Sequence, residues 1–61
     1  MPDNQTRRLL DKINEATARL EVVRDILSVE THPQYRKRYA MEAGRIKSRI
    51  AAYRHKIKYA R

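Results

Sequence analysis

Sixty-one residues without a cysteine exclude a disulfide framework and allow one small domain at most. The net charge is +8, and no apolar run approaches the roughly 18 residues of a membrane span, so none is expected. The opening "MPDNQTRRLLDKINEA" has no apolar stretch of the kind a secretory leader needs, and the lack of Cys suits a reducing compartment; a cytoplasmic location is expected.

The first element is a helix over about 4–30. Asp3 or Asn4 can cap its first free amides, with Thr6 close behind. Its apolar residues Leu9, Ile13, Ala16, Leu20, Val23 and Leu27 recur in alternating steps of three and four, the signature of a coiled-coil seam. A second stripe, Ala18, Val22, Ile26 and Val29, lies roughly opposite the first and towards the far end of the helix.

Pro33 punctuates the middle of the chain. Its ring pushes His32 out of the helical region, while Pro33 itself suits the first turn of a new helix. "THPQ" has the form of a capping box, with Thr31 as cap and Gln34 three residues on. A tight turn at about 31–33 and a second helix over about 33–60 follow. The seam of this helix is Tyr39, Ala43, Ile46, Ile50, Tyr53, Ile57 and Ala60.

Folding the chain at Pro33 places Leu27 on Tyr39, Val23 on Ala43, Leu20 on Ile46 and Ala16 on Ile50. Ile13 then meets Tyr53, Leu9 meets Ile57 and Thr6 meets Ala60; every pair of residue numbers sums to 66. One register satisfies the whole seam. The expected fold is all-α, a single antiparallel two-helix hairpin of coiled-coil type spanning residues 1–61.

A lone hairpin covers its seam residues on one side, so more surface is expected to be hidden. The expected solution is a homodimer, a four-helix bundle made from two hairpins, or a helical protein partner. Ala18, Val22, Ile26 and Val29 of the first helix are the candidates for that interface. Ala40 and Gly44 join them from a strip of small residues on the second helix that continues through Ser48, Ala51 and Ala52. The architecture is similar in shape to the small RNA-binding hairpin dimers of plasmid copy control, a likeness that carries over no site residue.

Charge is divided unevenly. Residues 1–30 carry five Lys or Arg and six acids; residues 31–61 carry ten Lys or Arg and one acid, Glu42. At about 100° per residue the basic side chains of the second helix fall in two rows. Arg38, Arg45, Arg49 and Lys56 form one, and Arg36, Lys47, Arg54, Lys58 and Arg61 the other. Arg45 with Arg49, and Arg54 with Lys58, are like charges four apart, each pair unfavourable by roughly 0.2–0.5 kcal/mol. Expected compensation within the second helix is thin, Arg38–Glu42 and Glu42–Arg45 only; the first helix does better, with Glu15–Arg19 and Arg7–Asp11, and its Glu15 and Asp11 are placed to reach across the hairpin towards Arg49 or Arg54.

A row of this kind can keep a small protein dispersed, but that requires only net charge, not nine net positives on one helix. The expected function is non-enzymatic binding of nucleic acid, DNA or RNA, mainly through phosphates. Arg36, Arg38, Arg45, Lys47, Arg49, Arg54, Lys56 and Lys58 are the contact candidates, and Tyr59 and Tyr35 are free to stack on bases. The alternative is an assembly or inhibitor protein that docks its basic helix and apolar stripe on an acidic or helical protein surface.

No catalytic constellation is legible. Ser28 and Ser48 have no histidine at usable spacing, and His32 beside Glu30 is expected to organise the turn. The paired acids Asp11/Glu15 and Glu21/Asp25 are four apart but sit among basic residues and read as a solvated face; with no zinc-ligand spacing and no phosphate-binding glycine loop, neither metal nor cofactor is expected.

Overall fold

The computed structural model describes residues 4–59 as two helices, α1 (Asn4–Val29) and α2 (Pro33–Tyr59), joined by Glu30, Thr31 and His32. They pack against each other as an antiparallel hairpin measuring 47 × 15 × 11 Å. The expected roles of Asp3 as a cap, Ala60 in the seam and Arg61 in the basic row lie outside the described residues.

Every described residue of the expected seam is buried or half-buried. Leu9, Ile13, Leu20 and Val23 of α1 and Ala43, Ile46 and Ile50 of α2 are buried. Ala16, Leu27, Tyr39, Tyr53 and Ile57 pack partly buried against the central cluster. Among the described residues Val23 is the one side chain with no solvent exposure, and its expected partner is the small Ala43. No polar side chain among the described residues is buried, so the interior of the seam is held by apolar contact.

The turn is built by side chains as much as by proline. The Glu30 carboxylate accepts from the backbone N–H groups of Thr31 and His32 at 3.1 and 3.0 Å and meets the His32 ring Nδ1 at 3.1 Å. The His32 carbonyl accepts from the Tyr35 and Arg36 amides, which opens α2 with Pro33 at its first position. His32 therefore occupies the cap, one residue beyond the Thr31 of the expected capping box. The amide of Thr31 turns to Glu30 instead. For the same reason α1 closes at Val29 and the turn covers 30–32, one residue earlier than expected.

Arg36 completes the junction. Its Nη1 donates to the carbonyls of Leu27 and Glu30 at 2.7 and 2.8 Å, satisfying two acceptors that the end of α1 would leave open. Donation from the His32 backbone N–H, and then from its ring, holds the Glu30 carboxyl below the usual 4.5.

Two truncations separate seam from surface. Val23→Ala should lower the unfolding free energy by about 1–2 kcal/mol, whereas Leu10→Ala, at a half-exposed position, should lower it by less than half as much. Urea titration followed by circular dichroism measures both.

Candidate nucleic-acid interface

Two helices in contact leave two grooves, one on each side of the seam. The first is an open groove in which Lys12, Glu15 and Arg19 of α1 face Glu42, Arg45 and Arg49 of α2, with Tyr53 in its floor. The second brings Thr17 and Arg24 of α1 beside Lys47, Ala51 and Arg54 of α2. The two basic rows of α2 thus stand on opposite sides of the hairpin. Arg38, Arg45, Lys47, Arg49, Arg54, Lys56 and Lys58 are all exposed. Among the described residues none of these seven forms an ion pair. Arg36 is exposed too, but one of its guanidinium nitrogens is held by the α1 carbonyls.

The ion pairing differs from the sequence expectation. Arg19 grips Glu42 across the hairpin, Nε to Oε2 at 2.6 Å and Nη2 to Oε1 at 3.1 Å. Pairs within one helix, Glu15–Arg19, Arg7–Asp11, Arg38–Glu42 and Glu42–Arg45, do not form, nor do the pairs expected across the hairpin from Glu15 and Asp11 to Arg49 or Arg54. Arg19 and Glu42 both stand on the first-groove side of the seam, where the helices touch, so the planar guanidinium meets both carboxylate oxygens at once. The Arg19 hydrogen bond holds the Glu42 carboxyl below its usual 4.5, and the same bond raises the Arg19 guanidinium. The pair is partly exposed and therefore screened by salt.

Three basic residues of α1 join the surface that α2 was expected to make alone: Lys12 and Arg19 in the first groove, Arg24 in the second. The same 100° arithmetic applied to α1 places them beside the seam; the near-neutral total of residues 1–30 obscures them. Lys12 also lies over the Tyr53 ring, Nζ at 5.9 Å from its centre. Tyr59, 65% exposed, has Lys58 Nζ at 5.7 Å and the His55 ring at 4.6 Å. Tyr35 is partly exposed against His32.

The second apolar stripe remains largely open. Val29 is 78% and Val22 48% exposed, Ala18 is exposed and Ile26 is half-buried. On α2, Met41 is 54% exposed, and Ala40 and Gly44 are exposed. A β-carbon added at Gly44 would meet nothing within 4 Å. Packing within the hairpin therefore does not require glycine there, although glycine in a helix is unfavourable by about 1 kcal/mol against alanine.

Fold and surface together define a small, strongly basic helical hairpin with an apolar tip. No family model, curated protein or solved structure matches the chain. No helix among the described residues is long and apolar enough to cross a membrane.

The depressed carboxyls of Glu30 and Glu42 set the sign of the acid response. Above the usual 4.5 both are ionised in folded and unfolded chains, and their contribution to stability is fully present. As pH falls below that value the unfolded chain takes up protons first, so stability declines until the folded groups also protonate. Thermal melts at descending pH should show this fall, and Glu42→Gln should make it shallower. At Gly44, replacement by Ala should stabilise the isolated hairpin by about 0.5–1 kcal/mol, measured by urea titration at low protein concentration.

Proposed function

We propose that this chain is a non-enzymatic nucleic-acid-binding protein whose α2 contacts phosphates through its two basic rows. The observation that carries this reading is the set of nine exposed Lys and Arg on α2 that have no acidic partner among the described residues. Folding brings Lys12 and Arg24 of α1 alongside them; the first groove also holds Glu15, which forms no ion pair, and the Arg19–Glu42 pair. Like charges crowded along one helix weaken it, and a polyanion relieves that repulsion while releasing its own counterions. The chain would act where nucleic acid is reached in a reducing compartment, the cytoplasm.

A second part of the proposal concerns assembly. Two hairpins would pair through their tips into a four-helix bundle, burying Ala18, Val22, Ile26 and Val29 of α1 with Ala40 and Gly44 of α2. Its support is the exposed apolar surface at Val22, Val29 and Met41, together with a glycine that the hairpin's own packing does not use. The same tip favours docking on another helical or acidic protein surface as the alternative function. A complex that forms with a protein partner and survives nuclease treatment would speak for that alternative.

The quadruple variant Arg45→Gln, Lys47→Gln, Arg49→Gln, Arg54→Gln tests the binding reading. Gel retardation of nucleic acid should be lost or strongly weakened while helicity is kept. The slope of log affinity on log salt should flatten by about 3–4, as expected for four lost phosphate contacts. Retardation unchanged in this variant would overturn the assignment to α2.

A further inference from the structure

The two rows of α2 are set apart in a way that specifies the shape of the polyanion. Arg45, Arg49 and Lys56 project to one side of the hairpin and Lys47, Arg54 and Lys58 to the other, with the outward half of α2 between them. Measured from the middle of that outward half, each row stands at about 60–120°. A single phosphate backbone lying along α2 would meet one row and leave the other in solvent. Two backbones running on either side of α2 would meet both.

Such a pair of backbones borders the major groove of B-form DNA. That groove is about 12 Å wide, and an α-helix with its side chains is about 10–12 Å across. The two helices lie side by side, so the edge that α2 presents is one helix wide, and α1 lies behind α2 on the far side of the seam. Among the described residues Ser48, Ala52 and His55 face outward between the rows, all exposed. No acid stands on that face, since Glu42, the one acid of α2, is turned to Arg19 beside the seam. A-form RNA differs in the decisive dimension, because its major groove is deep and too narrow to admit a helix.

We infer that α2 seats edge-on in the major groove of duplex DNA, the Arg45/Arg49/Lys56 row on one phosphate backbone and the Lys47/Arg54/Lys58 row on the other. This rests on the nucleic-acid reading above and narrows it to B-form duplex DNA. The seated segment, residues 45–58, lies towards the open end of the hairpin. The tip stripe and Gly44 remain available for pairing of two hairpins. Ser48 and His55 are the polar side chains placed to reach base edges; the remaining contacts go to phosphate.

The test pairs two probes with one variant. Binding of the full chain to a DNA duplex and to an RNA duplex of the same sequence is measured by fluorescence anisotropy at one salt concentration. A preference for DNA of roughly tenfold or more is expected from the groove difference. The variant Ser48→Leu, Ala52→Leu keeps every charge and a helix-compatible sequence but thickens the outward face. It should lose roughly tenfold or more in affinity for the DNA duplex, in line with the ~1–3 kcal/mol scale of single groove contacts. Its affinity for inorganic polyphosphate, which has no groove, should not change. Equal binding to the two duplexes, or a variant that binds DNA as well as the parent chain, would overturn groove seating and leave phosphate contact intact. Absence of binding to both duplexes would overturn groove seating and the nucleic-acid reading together.

Discussion

The seam between α1 and α2 is the constraint from which everything else follows. It is apolar and runs from Leu9 to Ile57, and among the described residues no buried polar group helps to hold it. Because side chains on a helix have a fixed angular order, burying Val23, Ile46 and Ile50 also decides where every other residue points. The two basic rows, the apolar tip and the outward strip of α2 are what that choice leaves exposed.

The turn protects the register from slipping. A two-helix seam with a regular three-four repeat tolerates a shift of one heptad with little loss of apolar contact. The junction at Glu30 and His32 removes that freedom. Pro33 begins α2, Glu30 gathers the two amides that precede it, and Arg36 reaches back to close the carbonyl end of α1. Arg19–Glu42 adds a polar tie between the helices beside the seam. These contacts are exposed and individually weak; their effect is to select one alignment among several.

The exposed surface of α2 is not uniform along the helix. Near the tip its exposed residues include the apolar or small Tyr35, Ala40, Met41 and Gly44, beside the open Val22 and Val29 of α1, together with the cations Arg36, Lys37 and Arg38. From Arg45 onward the exposed side chains are mainly cationic on both sides of the helix. The open apolar surface is thus concentrated at the tip, while exposed cations run along most of α2.

The hairpin and its register were legible from residue spacing. Periodicity is a local property, and two seams that share one register leave little choice of fold. The exposure of the α2 rows followed from the same periodicity. The pairing of charges did not. Sequence spacing favours neighbours three or four apart on one helix, whereas Arg19 finds Glu42 on the other, because packing places their side chains closer than the helix ladder does. Nor did composition reveal that Lys12 and Arg24, drawn from a nearly neutral half, extend the basic surface. The turn shows the same limit: Thr31 matches the capping pattern, yet His32 takes the cap once Glu30 binds the Thr31 amide. Local patterns thus determine which residues face inward. Contacts between residues far apart in the chain exist only once the two helices meet, and they decide which charges cancel and which remain for a partner.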